Sequence, residues 1–457
     1  MDQRYDIFVI GGGGTGSEVA FSLRRHDPSL SICIAERDKF GGECNHYGCV
    51  PTKVMLHSAK VAATARAAGR FGVRVHDVSV DFPAVMARAR AIIDEQSGEQ
   101  EKPFLDNGID VIKDEVRLIG TNEVEIADGR RILADKIVLA TGSEATCPPI
   151  PGLDGTPFWT NKEAIWTPTE VPRSLIVLGT GAIGTEFAQI YARFGARVTQ
   201  VEIAPHILPL EDAEAAASMV PALEEDGITI REDATSCEIH HFDDGTWKIH
   251  IDDGDDIMAD ELLVATGRKP CFDEHDLAAA GVELDDAQRP ILDDTLRTTS
   301  PGVWAGGDAT GDLLFTHVGG YEAEIITQDI LGRRTPKDYR VVPRVTFTDP
   351  EIASVGLTEA GAREAGHEVT TGVARFEWNE RAEIDGSTFG LVKVVADARS
   401  GELLGGHIVG QEAGAMIHEI VAAMAGRIPT EAVGNAIHAY PTLSESVKSA
   451  FLQLEEG

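Results

Sequence analysis

Apolar positions along this chain follow two rhythms. Tyr5-Asp-Ile-Phe-Val-Ile10 is a short, nearly continuous apolar run that ends in Gly11-Gly-Gly-Gly-Thr-Gly16, and Ser17 to Arg25 then spaces apolar residues at helical intervals. Ser31-Ile-Cys-Ile-Ala-Glu36 reads as a second strand ending in an acid. The same order recurs later. Ser174 to Leu178 leads into Gly179-Thr-Gly-Ala-Ile-Gly184, a helix through about Phe194, and the strand Ala196 to Glu202. Each unit is trailed by a near-repeat, Ile137-Val-Leu-Ala-Thr-Gly-Ser143 and Leu262-Leu-Val-Ala-Thr-Gly-Arg268, that reads as a closing strand. Pro301 to Thr310 is a further strand ending in an acid, Asp308. From about Arg340 the pattern changes to strands with hairpin turns, such as Gly390 to Ala396 and Leu403 to Val409, followed by helices over Ala413–Gly426 and Ser444–Leu454.

Strand, glycine turn, helix, strand and terminal acid is the setting in which a G-x-G-x-x-G pattern acquires meaning. The glycines permit the tight turn and let the backbone touch a pyrophosphate on the helix N-terminus, and the acid accepts from a ribose hydroxyl. Candidate contacts are Gly11, Gly13, Gly14, Gly16 and Glu36 in the first unit, and Gly179, Gly181, Ile183, Gly184 and Glu202 in the second. Two fingerprints imply two dinucleotides. The 457 residues are too many for one core. The expected fold is α/β, with two Rossmann-like dinucleotide-binding domains and a C-terminal α+β domain. Expected boundaries are 1–150 for the first nucleotide domain, 151–270 for the second, 271–340 for a return to the first, and 341–457 for the last.

Composition narrows the partners. The formal charge of −35, from 75 acidic and 40 basic side chains, repels nucleic acid and anionic lipid. A salt-rich source and an ordinary acidic cytosolic protein both fit that surplus. The first residues lack a basic n-region, and no apolar run approaches the roughly 20 residues that cross a bilayer. A cytoplasmic location is expected, where disulfides are transient, catalytic or redox-sensing.

Among six cysteines, Cys33, Cys147, Cys237 and Cys271 stand singly and read as small buried or neutral surface residues. Cys44 and Cys49 sit five apart in Cys44-Asn-His-Tyr-Gly-Cys-Val-Pro-Thr-Lys53. An ideal helix separates such positions by about 7.5 Å, beyond the Cα spacing of a disulfide, so a bridge requires irregular backbone between them, which Gly48 permits. Pro51 suits the first turn of an apolar helix expected over Val54–Ala68, which sets Cys49 beside a helix N-terminus, where dipole and Lys53 favour thiolate. His46 opens a metal alternative, although zinc wants four ligands and no second Cys/His cluster completes the set.

At Gly11–Gly16, Gly41–Lys53, Gly179–Glu186, Ala305-Gly-Gly-Asp308, Asn379-Glu-Arg-Ala382 and Pro441-Thr-Leu-Ser-Glu445 the chain closely resembles the class I pyridine nucleotide-disulfide oxidoreductases, the family of dihydrolipoamide dehydrogenase, glutathione reductase and mercuric reductase. The resemblance covers essentially the whole chain. It implies FAD at the first fingerprint, with Glu36 on the adenosine ribose, Asp308 on the ribityl chain, Thr316 and His317 at the flavin pyrimidine end, and Gly42, Lys53 and Gly142 among the contacts. It implies that Cys49 is the sulfur beside the flavin, that Cys44 attacks substrate, and that Lys53 pairs with Glu186. Gly267 joins the NAD contacts. NAD is favoured over NADP, because Glu202-Ile-Ala-Pro-His206 offers an acid and no arginine. The implied enzyme passes electrons from NADH through FAD to the Cys44–Cys49 disulfide and on to a disulfide or lipoyl group, as a homodimer whose C-terminal segment reaches the other subunit's active site.

One motif departs. Disulfide reductases of the family carry histidine just before the final Pro-Thr, paired with a glutamate five positions on, and here Tyr440 and Glu445 occupy those places. An ordinary phenol, with pKa near 10, is a poor proton acceptor at neutral pH, and a positioned base is typically worth 10²–10⁴ in rate. Three accounts stay open: His438 as a substitute base, a mercuric-reductase-like passage of electrons to a soft metal ion, and likeness to soluble transhydrogenases or quinone-reducing flavoproteins. A flavoprotein valued for binding a partner is the non-enzymatic alternative.

Overall fold

Ile7 and Val9 pack into one hydrophobic layer and Phe8 and Ile10 into another, so the strand Gln3–Ile10 is buried on both faces. Each such side chain contributes about 1.5–3 kcal/mol by burial. This explains the unbroken apolar run, which strands covered on both sides require. The computed structural model describes residues 3–97, 100–271 and 277–454. The last three residues of the C-terminal segment, 455–457, lie outside the described residues. The chain divides into two compact units, one of Met1–Pro51, Ala87–Thr146 and Arg268–Asp338, the other of Thr52–Met86, Cys147–Gly267 and Tyr339–Gly457.

The first unit is built on a seven-stranded sheet ordered Asp110–Ile112, Ile32–Ala35, Gln3–Ile10, Arg131–Leu139, Glu123–Ile126, Val116–Gly120, with Val303–Ala305 also pairing with Arg131–Leu139. The strands around Gln3–Ile10 are parallel, with Val9 opposite both Ile34 and Val138. The helices Gly14–His26 and Thr316–Ile330 cover the Ile7/Val9 face through Val19, Leu23, Ala323 and Ile326.

The second unit repeats the theme in a four-stranded parallel sheet ordered Ile228–Arg231, Arg197–Val201, Ser174–Leu178, Glu261–Val264. Phe187, Ile190 and Tyr191 of the helix Ala182–Phe194 pack with Met55, Ala59 and Phe82. A three-stranded antiparallel sheet, Ser236–His241, Trp247–Ile251 and Asp256–Ala259, buries Trp247 and Ile249 with Ile176 and Leu178. The C-terminal part is a five-stranded antiparallel sheet ordered Pro343–Thr346, Glu351–Gly356, Leu403–Gly410, Leu391–Asp397, Val369–Arg375. Its helices Ala413–Ala425 and Glu445–Gln453 pack against it through Ile417, Ile420, Val447 and Phe451.

That sheet carries an unexpected polar row. Arg344 lies opposite Ser354, Ser354 opposite His407, and His407 opposite Lys393, so four adjacent strands present one line of polar side chains. Glu211 takes Arg344 Nε at 2.7 Å and the Ser354 hydroxyl, while Asp212 and Glu359 take Lys393 Nζ at 3.0 and 2.8 Å. Lys393 is only 4% exposed, and paired acids are what make a buried ammonium tolerable.

The helix expected from Val54 instead begins at Cys49 and runs to Ala67. Pro51 stands at its third position, where the missing N–H would have been unpaired in any case. No helix among the described residues is long and apolar enough to cross a membrane.

Candidate active site

The two fingerprint turns share one construction. Gly11 (φ +107°) and Gly179 (φ +92°) each pass so close to the closing strand that a Cβ would stand 2.1 Å from Ala140 O and 2.5 Å from Ala265 O. Gly16 and Gly184 fold back on Gly11 O and Gly179 O at 2.0 and 2.1 Å from the same hypothetical atom. These four are glycine for packing reasons. Gly13, Gly14 and Gly181 have no such neighbour, the nearest atoms standing at 4.0 and 3.9 Å for the first two and beyond 4 Å for the third. Gly13 and Gly181 are also the N-caps of their helices, and neither offers a side-chain acceptor to the first turn. Open space over helix N–H donors is a phosphate cradle, so the residues fit a dinucleotide pyrophosphate at both turns. Ile183 lies in the first turn of the second helix, while Gly142 (φ +75°) and Gly267 (φ +141°) close the turns after the trailing strands.

The acids beside the cradles are anchored alike. Glu36 accepts the Gly12 N–H at 2.8 Å and the Asp38 N–H at 2.7 Å, one on each oxygen. Glu202 accepts the Thr180 and Ala204 N–H groups, both at 2.9 Å, and also the Thr180 hydroxyl. A small hollow beside Glu36 is lined by Gly11, Arg37, Thr141 and Cys271. Cys271, one of the single cysteines, carried no local motif to mark it. Asp308 accepts the Ser143 hydroxyl at 2.6 Å, and Arg268 in turn donates to Ser143 Oγ and O and pairs with Glu43 at 3.4 Å. That relay joins residues from four separate stretches, so only the tertiary fold reveals it.

Cys44 lies on a short helix, Gly42–His46, and Cys49 opens the next, with Tyr47 (φ −133°) and Gly48 breaking the helix between them. This is the irregular backbone the spacing demanded. The sulfurs are free thiols in hydrogen-bond contact, and the Cys44 thiol is pushed well above its ordinary range, first by its hydrogen bond with Cys49, then by burial and by charge on Cys49. Cys49 Sγ also lies 3.8 Å from Thr316 Oγ1, at the start of the helix Thr316–Ile330. His317 follows, exposed, its ring stacked 5.5 Å from Phe315. A Cβ on Gly42 would stand 2.9 Å from Gly13 Cα, so the start of the cysteine-bearing segment runs against the first glycine turn. His46 is 2% exposed with Nε2 on Phe40 O at 2.9 Å, which turns its ring into the protein interior.

In the second unit, Lys53 Nζ donates to both oxygens of Glu186, at 3.0 and 2.8 Å. Tyr440 is 71% exposed, and Glu445 accepts the Thr442 N–H at 2.9 Å. His438 has Nε2 on Glu419 Oε1 at 2.8 Å and Nδ1 on Ala436 O at 3.1 Å, so both ring nitrogens are engaged.

Two dinucleotide cradles in one chain, one of them beside the segment that carries a thiol pair, describe an oxidoreductase that handles electrons on sulfur. Comparison with known proteins gives it a family. The chain belongs to the pyridine nucleotide-disulphide oxidoreductases, matching that family over residues 5–325 and its dimerisation domain over residues 342–451. It is a flavin-dependent disulfide oxidoreductase of a family that uses FAD and NAD(P)H. It is 36% identical to the dihydrolipoyl dehydrogenase of Chlorobaculum tepidum, across 98% of this chain and 97% of that one. It is 33% identical to a Bacillus cereus mercuric reductase, across 99% of this chain and 72% of the relative. The solved structure of RclA, an HOCl-induced flavoprotein disulfide reductase from Escherichia coli, has a TM-score of 0.87 to this chain at 28% identity, covering 98% of this chain and 99% of that one.

Proposed function

We propose that this enzyme oxidises NADH and delivers two electrons to a Cys44–Cys49 disulfide, which opens to a dithiol and reduces a disulfide acceptor in turn. The balance is simple: NADH and one proton reduce S–S to two S–H, and the dithiol closes again as it reduces the acceptor. FAD, when bound, supplies the two-electron relay between hydride and sulfur. The observation that carries the reading is the hydrogen bond between Cys44 and Cys49. That contact, with burial, pushes the Cys44 thiol up, so Cys44 is the sulfur that keeps its proton in a reduced pair. Cys49 is then the thiolate beside the flavin and Cys44 the thiol that attacks the acceptor.

Lys53 is held by both oxygens of Glu186 and would supply a positive charge toward the flavin when FAD is bound. Glu36 and Asp308 would accept from the FAD ribose and ribityl hydroxyls when it is bound, and Thr316 and His317 would meet its pyrimidine end. Glu202 carries a negative charge where a 2′-phosphate would sit, which supports NADH over NADPH. The dimerisation domain supports a homodimer in which the exposed Tyr440 and the half-buried Glu445 complete the partner's site. A reducing, cytoplasmic compartment suits such a dithiol.

A second reading keeps the same path to Cys44 and Cys49 but ends on a soft metal ion. Tyr440 favours it, standing where a general base is expected, and mercuric reductases are among the relatives.

Anaerobic titration of the FAD-loaded protein with NADH tests the shared path. A long-wavelength thiolate–flavin absorption band should grow in wild type and be lost in Cys49→Ser. A band that persists in that variant sinks the assignment. An acceptor panel of lipoamide, low-molecular-weight disulfides, quinone and Hg(II), run with NADH and NADPH, then separates the two readings.

A further inference from the structure

The two acids beside the cradles differ by one hydrogen bond. Both carboxylates accept an N–H from the second residue of their glycine turn and another from the residue two positions on. In the first unit that turn residue is Gly12, with no side chain. In the second it is Thr180, whose hydroxyl donates to Glu202 Oε2 at 2.7 Å, the same oxygen that takes the Thr180 N–H. Thr180 is itself immobilised. It is fully buried, and its carbonyl accepts the Leu208 N–H at 3.1 Å and the Thr185 hydroxyl at 2.9 Å. Glu202 is 7% exposed.

A carboxylate has about four lone-pair sites, and three on Glu202 are occupied by protein donors. The remaining one, on Oε1, accepts from a neutral hydroxyl. A phosphate has no proton to give it and brings like charge. An acid held by the two backbone donors alone would break two hydrogen bonds to turn away from that conflict, and Glu202 would break three, two on Oε2 and one on Oε1.

We propose that Thr180 is a positioning residue for dinucleotide selection: its hydroxyl locks Glu202 in the orientation that meets a ribose hydroxyl and rejects a 2′-phosphate. The proposal rests on the NADH reading above.

The test measures dissociation constants of NAD⁺ and NADP⁺ for the oxidised, FAD-loaded enzyme by calorimetry, alongside kcat/KM for NADH and NADPH. Thr180→Val removes the hydroxyl and keeps the shape, Thr180→Ser keeps the hydroxyl, and Glu202→Ala removes the acid. In Thr180→Val the ratio of the NADP⁺ to the NAD⁺ dissociation constant should fall about tenfold, the worth of one hydrogen bond to a charged group. Thr180→Ser should restore the wild-type ratio. A ratio unchanged in Thr180→Val but collapsed in Glu202→Ala overturns the role of Thr180 and leaves the NADH reading standing. A wild-type ratio near one, or one that Glu202→Ala does not move, removes the NADH reading instead. Should Thr180→Val lose its flavin or fold, Thr180→Ala, which leaves space rather than a methyl against Glu202, is read on the same scale.

Discussion

Lys53 and Glu186 form a two-pronged ion pair whose partners differ sharply in burial: the Glu186 side chain is 4% exposed and that of Lys53 35%. Glu186 also accepts the Phe347 N–H at 2.9 Å, and Lys53 Nζ sits 4.7 Å from the centre of the Phe347 ring. Removing the lysine strands a buried carboxylate, whereas removing the glutamate leaves an ammonium that can turn toward water. Lys53→Met should therefore cost about 3 kcal/mol of stability and Glu186→Gln only about 1 kcal/mol. Urea denaturation of both variants checks this. Equal losses, or a larger one for Glu186→Gln, would show that the pair does not depend on the burial of its acid.

The Cys44 thiol provides a second test, because most of what raises it comes from one neighbour. Its hydrogen bond with Cys49 is the largest cause and charge on Cys49 adds to it, with burial between the two in size. Replacing Cys49 by serine removes the sulfur charge and leaves the burial. The pH at which Cys44 becomes reactive should then move down toward the ordinary thiol value, near 8.5. Iodoacetamide alkylation of the reduced protein against pH, with the labelled cysteine located by mass spectrometry, reads this directly. An unmoved or rising midpoint in Cys49→Ser contradicts the contact.

Tyr440 invites a gain-of-function experiment. It is 71% exposed, while the other nearby candidate base, His438, is tied to Glu419 and Ala436 through both nitrogens. Tyr440→His places an imidazole where the disulfide-reducing members of the family carry one, with Glu445 five residues on. If a disulfide is an accepted but poorly served substrate, its reduction should rise by about 10² in kcat/KM near pH 7. The companion His438→Gln should leave that rate alone. No gain in Tyr440→His, or a marked loss in His438→Gln, would place the base elsewhere.

The sites differ in how far they could be read from sequence, and the reason is distance along the chain. Gly11 and Gly179 are crowded by Ala140 and Ala265, far along the chain, but Gly16 and Gly184 are local: each folds back on the first glycine of its own turn, a closure that any such unit must make. The helix break between Cys44 and Cys49 was legible for the same reason. The Phe347 N–H on Glu186 was not, since 161 residues separate the two. The Thr180 hydroxyl on Glu202 was also hidden, although both residues were in view, because a threonine within a glycine turn suggests no direction for its side chain. Arg344, Ser354, His407 and Lys393 give no pattern at all in sequence. Only the antiparallel registers of three strand pairs bring them into line.

That line yields the last prediction. His407 is fully buried, with Nε2 on Leu357 O at 3.2 Å and no hydrogen-bond partner for Nδ1 among the described residues. Asp212 and Glu211 face it and favour its protonation, Arg344 opposes it, and Lys393 is opposite on the neighbouring strand. Desolvation outweighs these and holds the histidine below its ordinary value. The unfolded chain, with an ordinary histidine near 6.5, therefore takes up a proton that the folded chain refuses. This contribution to stability is fully present above pH 6.5 and is lost as pH falls below it toward the folded value. The steepest loss is about 1.4 kcal/mol per pH unit for one proton. His407→Gln should flatten the stability profile between pH 5 and 6.5 by up to that amount, even if it lowers stability at pH 7.5. Denaturation midpoints of wild type and variant across pH 5–7.5 give the comparison, and parallel profiles would mean that His407 titrates in the fold as it does in the unfolded chain.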